Sequence, residues 1–79
     1  MRRNDLDICA DLLRIASAGA KKTHLVYKAN LNFNIVKKYL NRLKDNELIE
    51  DYEGQYFTTD KGIMFLEKYR SLVYPLTVK

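Results

Sequence analysis

The sequence predicts a mainly α-helical domain with a small β-hairpin, an α+β chain in the order helix, helix, helix, hairpin, helix. Three observations predict it. Apolar residues recur at helical spacing in separate stretches before and after the middle of the chain. Between Leu48 and Thr58 the period shortens into two runs rich in aromatic and branched residues, parted by Glu53-Gly54. From Leu12 to Lys44 there is no Asp or Glu, while Arg14, Lys21, Lys22, Lys28, Lys37, Lys38, Arg42 and Lys44 are spread through the stretch. Such an acid-free basic run points to a polyanionic partner.

The elements follow in order. Asn4 or Asp5 caps a first helix through about Ser17, whose polar stripe (Asn4, Asp7, Asp11, Arg14) opposes Leu6, Ile8, Cys9, Leu12, Leu13, Ile15 and Ala16. Gly19 stops it. Thr23 is the expected cap of a short second helix, roughly His24 to Ala29, with Leu25 and Val26 turned inward. Asn30 tolerates a left-handed backbone and Asn32 is a good N-cap, so the two bracket Leu31 in a tight corner. Two helices joined this way form a helix-turn-helix. The third helix, about 33–45, carries Val36, Tyr39, Leu40 and Leu43 on one face and Asn34, Lys37, Lys38, Asn41 and Arg42 on the other.

Leu48 to Tyr52 and Gln55 to Thr58 then form the hairpin. Thr59 caps a last helix from about Asp60 to Val73, with Asp60 favourably placed in its first turn and Pro75 marking the expected end. That helix is unusually apolar. Ile63, Met64, Phe65, Leu66, Tyr69, Leu72, Val73 and Tyr74 leave only Glu67, Lys68, Arg70 and Ser71 as its polar side. A single domain of 79 residues has a core supplying only about 3–5 kcal/mol. A stripe this wide therefore predicts a homodimer through the helix at about 60–73, with Ile63, Phe65, Leu66, Tyr69, Leu72 and Val73 at the interface.

Charge and composition exclude several classes. The net charge is +4, yet acids gather at Asp5, Asp7 and Asp11 and again at Asp45, Glu47, Glu50, Asp51 and Glu53. The only cysteine is Cys9, which leaves no disulfide or cysteine zinc site within one chain and fits a reducing cytosol. No apolar run approaches the roughly 18 residues of a membrane span, and no apolar h-region follows Met1-Arg2-Arg3. The expectation is a soluble cytoplasmic, nucleoid-associated protein without membrane contact. His24 is the only histidine and is expected to be exposed; with it there is no metal set and no Cys–His pair. The glycines are isolated at Gly19, Gly54 and Gly62, so no phosphate loop exists. We expect no enzyme, no cofactor and no small-molecule ligand.

Three segments carry a resemblance. Lys22-Thr23-x-Leu25-x-Tyr27-x-Ala29-Asn30-Leu31, Tyr39-Leu40-x-x-Leu43-x-x-x-x-Leu48-Ile49 and Tyr56-x-x-Thr59-x-Lys61-Gly62 resemble the small archaeal winged-helix (winged helix-turn-helix) transcriptional regulators and chromatin-associated DNA-binding proteins. The resemblance implies that the third helix is the recognition helix, the hairpin the wing, and the last helix the dimer contact. Helix-turn-helix docking makes Phe33, Asn34, Lys37, Lys38 and Asn41 the candidates for base edges, since Asn bonds adenine and Lys donates to guanine. Phe33 has an equally good role as a packing staple against the second helix. Lys21, Lys22, Thr23, Lys28, Arg42 and Lys44 form the phosphate-contacting set.

The chain departs from the family pattern twice. Glu47 stands where a glycine is usual before Leu48-Ile49, so either Asn46 takes the left-handed position or the turn is strained. Glu50, Asp51 and Glu53 put negative charge on the wing, against contact with phosphates. The leading reading is a dimeric double-stranded DNA-binding protein, a transcriptional regulator or a less selective chromatin-type binder. A winged-helix protein-interaction module is the alternative. It would use Tyr52, Tyr56, Tyr69 and Tyr74 as a partner surface. Single-stranded or RNA binding ranks below both, because Asn rather than aromatic residues interleave the basic face.

Overall fold

Local chemistry starts each helix. The computed structural model describes the backbone of residues 4–77 and the side chains of residues 4–73. Helix α1 (Asp5–Ala16) opens with a reciprocal capping box: the Asn4 side chain accepts from the Asp7 amide at 2.8 Å, and the Asp7 carboxylate accepts from the Asn4 amide at 3.3 Å. It ends as Gly19 donates its amide to the Ala16 carbonyl at 2.9 Å. Strand β1 (Ala20–Lys21) follows, then α2 (Lys22–Ala29) and α3 (Phe33–Asp45). Strands β2 (Ile49–Tyr52) and β3 (Gln55–Thr58) precede α4 (Asp60–Thr77).

The hairpin is part of a three-stranded antiparallel sheet in the order β1-β3-β2. Ala20 lies opposite Tyr56 and Lys21 opposite Gln55, while Ile49 faces Thr58 and Tyr52 faces Gln55. The two-residue turn puts both Glu53 (φ 50) and Gly54 (φ 81) in the left-handed region, the geometry that matches strand twist in a tight hairpin. β1 is absent from the sequence reading because two residues carry no period; it exists only through its register with β3. Its presence also corrects the expected cap of the second helix. Pairing with Gln55 holds Lys21 extended (φ −77, ψ 159), so α2 starts at Lys22 and Thr23 sits inside the first turn.

The turns between helices are of one kind. Asn30 (φ 58) closes α2 with its amide on the Tyr27 carbonyl, and Leu31 reaches back to Val26. Asn32 then caps α3 by accepting from the Ile35 amide at 2.8 Å. At the end of α3, Glu47 donates to Lys44 at 3.0 Å and Leu48 to Leu43 at 2.9 Å, the same Schellman arrangement. The left-handed residue there is Glu47 itself (φ 61), whereas Asn46 (φ −96) stays outside that region and bonds the Arg42 carbonyl. Of the two ways to replace the usual glycine, strain at Glu47 is the one observed.

The core lies between the three-helix layer and the sheet. Leu12 and Leu13 of α1, Leu25 of α2, and Val36, Leu40 and Leu43 of α3 are fully buried, with Ile49 and Leu66 closing the ends. Thr58 ties the sheet to α1 by donating to the Leu13 carbonyl at 2.6 Å. Thr59 does the same for α4: its hydroxyl accepts from the Gly62 amide at 3.0 Å and donates to the Glu47 carbonyl at 2.7 Å. A Cβ on Gly62 would stand 2.2 Å from the Leu48 carbonyl oxygen, so only glycine lets α4 cross the α3–β2 corner this closely.

α4 differs from expectation in two respects. It continues through Pro75 to Thr77 instead of ending near Val73. Its apolar stripe is also partly used at home. Leu66 is buried, and Phe65 and Tyr69 pack against the core, with the Tyr69 hydroxyl donating to Asp7. These three, expected at a dimer interface, cover their own domain instead. Ile63 and Leu72 remain exposed, as does Met64, and Val73 is half-buried. Tyr56 likewise packs on the core, and Tyr74 lies outside the described side chains.

Candidate nucleic-acid interface

The exposed face of α3 collects the residues that its sequence placed there. Burial of Val36, Tyr39, Leu40 and Leu43 turns Asn34, Lys37, Lys38 and Asn41 to solvent. All five candidates for base contact are exposed, Phe33 by 51%. Phe33 thus keeps about half its surface covered, as a packing staple would, and half of it wet.

The edge of that face is held by a polar cluster against α1. The Tyr39 ring is buried beneath it while its hydroxyl donates to Asp5. Arg42 lies 5.5 Å above the same ring and 3.4 Å from the Asp5 carboxylate, and the Lys38 amine is 5.8 Å from the ring centre. The Tyr39 hydrogen bond, with Arg42 adding to it, holds the Asp5 carboxyl below its ordinary value of 3.8. The same bond, with some desolvation, raises the Tyr39 phenol.

The expected phosphate set is only partly uncommitted. Lys44 is paired with Asp51 of the wing at 3.4 Å and Arg42 with Asp5, so each must exchange one anion for another to take a phosphate. Lys21, Thr23 and Lys28 are exposed and Lys22 is half-buried. No side-chain oxygen caps the first turn of α2. His24 is exposed, as expected.

One residue of this surface escaped the sequence reading. Tyr27 is 87% exposed, on the outer face of α2 one turn beyond Thr23. The i, i+4 spacing from Thr23, opposite Leu25 and Ala29, was the available signal. The wing, by contrast, exposes acids: Glu50, Asp51 and Glu53 face solvent beside Tyr52, which is 65% exposed.

Along the flank of α3 that carries Arg42 and Leu43, a groove of about 510 Å³ runs between α1, the α3–β2 corner and α4. Leu6, Cys9, Leu43, Leu48 and Phe65 line it, with Arg42 and Lys61 at the rim. It continues along α4 past Met64 to Lys68. Burial raises the Cys9 thiol above its ordinary value, which favours its protonated form. Among the described residues no group of His, Cys, Asp and Glu could hold a metal ion, and no helix is long and apolar enough to cross a membrane.

Comparison with known proteins agrees with this geometry. A family described as winged helix-turn-helix matches residues 2–74. The uncharacterized protein MJ0290 of Methanocaldococcus jannaschii is 34% identical over 79 residues, covering 95% of this chain and 37% of its own length. The chain thus spans little more than a third of that relative. Among solved structures, Sso10a-2, a DNA-binding protein from Sulfolobus solfataricus, superposes with a TM-score of 0.76 at 25% identity, covering 94% of this chain and 85% of its own.

Proposed function

The chain belongs to the winged helix-turn-helix family, and on that premise we propose that it binds double-stranded DNA as a dimeric transcriptional regulator. In this reading α3 enters the major groove, and Asn34, Lys37, Lys38 and Asn41 meet base edges. The observation that carries the reading is the exposed face of α3, basic and amide-rich, inside a stretch from Leu12 to Lys44 with no acid. The DNA-binding neighbour Sso10a-2 supports it. Lys21, Lys22, Thr23 and Lys28 anchor phosphates beside it, while Arg42 and Lys44 join by releasing Asp5 and Asp51.

Dimerisation uses what α4 leaves uncovered. Ile63, Met64 and Leu72, the last 67% exposed, leave apolar surface on α4 to either side of its buried face. Pairing of α4 with its copy about a two-fold axis would remove part of that surface from water. The single cysteine, Cys9, fits a protein of the reducing cytoplasm acting at the nucleoid.

Fluorescence anisotropy of a labelled random duplex across a salt series tests the reading. With four to six phosphates neutralised per subunit, the logarithm of the binding constant should fall with log salt at roughly −0.9 per phosphate. Weak or salt-insensitive binding would overturn it. The acidic wing favours a second reading, a protein-interaction module. Lys37→Ala with Lys38→Ala separates the two, abolishing DNA retention in the first and leaving partner capture intact in the second.

A further inference from the structure

The wing and the groove are each anomalous alone and complementary together. On β2, Glu50 and Tyr52 point to the same face, because side chains alternate along a strand, and Glu53 follows at the turn. The result is an exposed aromatic flanked by carboxylates, on an element where phosphate contact would need cations. The groove presents the inverse. Its apolar floor is continuous, and α4 brackets it with amines: Lys61, Met64, Phe65 and Lys68 fall at i, i+3, i+4 and i+7 of one stripe.

We propose that the wing of one copy docks in the groove of the next, with Tyr52 seated among Leu6, Cys9, Leu48 and Phe65 and with Glu50 and Glu53 against Lys61 and Lys68. An aromatic anchor in an apolar pocket within a ring of opposite charges is the usual anatomy of a small protein interface. The groove volume of about 510 Å³ accommodates a phenol ring. Lys61 has only a 3.9 Å contact to an exposed Glu47 to give up. Arg42 and Asp5 at the far rim already satisfy each other.

The two surfaces are different patches of one chain, so the contact is heterologous and propagates instead of closing on itself. Copies would add head to tail, and the face of α3 would stay free in each. If the DNA-binding reading holds, such a row binds duplex cooperatively. The association itself requires no DNA.

Sedimentation velocity over a concentration series at low salt, without DNA, tests the contact. Two variants are compared: Glu50→Lys with Glu53→Lys, and Lys61→Glu with Lys68→Glu. All four residues are exposed, and circular dichroism checks that both variants fold. Each alone sets like charges against like and should weaken formation of species larger than dimers by about tenfold or more. Mixing the two should restore those species, because the reversed wing then meets the reversed groove. A mixture no better than either variant overturns the proposal.

Cys9 supplies an independent readout. As the only thiol, and a lining residue of the groove, it should become several-fold slower to alkylate with iodoacetamide as protein concentration rises, in the wild type but not in Tyr52→Ala. A rate independent of concentration, or equal protection in Tyr52→Ala, sinks the contact whatever the outcome with DNA.

Discussion

Helix α3 and the wing are neighbours in sequence, each fixed to the core by one buried edge and otherwise wet, yet they carry opposite charge. α3 buries Val36, Leu40 and Leu43 and exposes lysines and asparagines; β2 buries Ile49 and exposes Glu50, Asp51 and Tyr52. In a protein that used both elements on one polyanion, the wing would repel what the helix attracts. The difference teaches that a surface suited to a polyanion and one unsuited to it can lie side by side, joined by the corner from Asp45 to Leu48.

The sharpest way to break that arrangement is at the corner itself. Gly62→Ala forces a Cβ into the Leu48 carbonyl and should cost about 3 kcal/mol, most of the stability of a domain this size. Thermal melting should show a midpoint lowered toward ambient temperature, and a melt like the wild type would mean that α4 moves aside easily. Next in size is the charge of α3. Lys37→Ala with Lys38→Ala should lower duplex affinity by a similar factor at every salt, because lysines that meet base edges leave the count of neutralised phosphates unchanged. Anisotropy reads this directly. A slope flattened by about 1.8, two phosphates' worth, would instead assign the two lysines to phosphates.

Ionisation of two tyrosines tests how α3 and α4 are held to α1. Hydrogen bonding to Asp7 pushes Tyr69 up to about 12 from an ordinary 10, and Tyr39 is raised by its bond to Asp5. Both phenols are therefore favoured neutral in the folded state. The stability Tyr69 contributes is complete below pH 10 and is lost as pH rises through about 12, and that of Tyr39 is lost in the same direction. Asp5, held below 3.8, acts at the other end: its contribution is present above that pH and is lost as pH falls through the folded value. Denaturant titrations of Tyr69→Phe against wild type should differ by about 1 kcal/mol near neutrality, the gap closing above pH 11 or so.

Smaller effects refine the comparison. Glu47→Gly relieves a left-handed glutamate and should stabilise by about 0.5–1 kcal/mol, net of a weak exposed contact to Lys61. A loss of stability would show the corner to be unstrained. Glu50→Gln with Glu53→Gln should change affinity for a duplex too short to hold neighbouring copies by less than about threefold, if the wing stands away from the phosphates. A larger gain would place the wing against DNA.

Much of this was legible in the sequence. Capping at Asn4, Asn32 and Thr59, the corner at Asn30, the turn at Glu53-Gly54 and the two faces of α3 depend on residues within a few positions of one another, and all stand as read. What failed was non-local. Thr23 lost its capping role to a pairing between Lys21 and Gln55, and the apolar stripe of α4 was assigned to a partner although Phe65, Leu66 and Tyr69 had a place on α1. The exposure of Tyr27 and the pairing of two phosphate candidates, Arg42 with Asp5 and Lys44 with Asp51, likewise arise only in space.

The sequence by itself determined the helices, the hairpin, the basic face of α3 and the acidic wing, because cap, period and charge act over short range along one chain. Only the tertiary structure decided which exposed groups were already committed, that Glu47 bears the left-handed turn, and that an apolar groove with an amine rim lies along the flank of α3. Those outcomes depend on which surfaces meet when distant segments pack, and no local pattern encodes the distance between them.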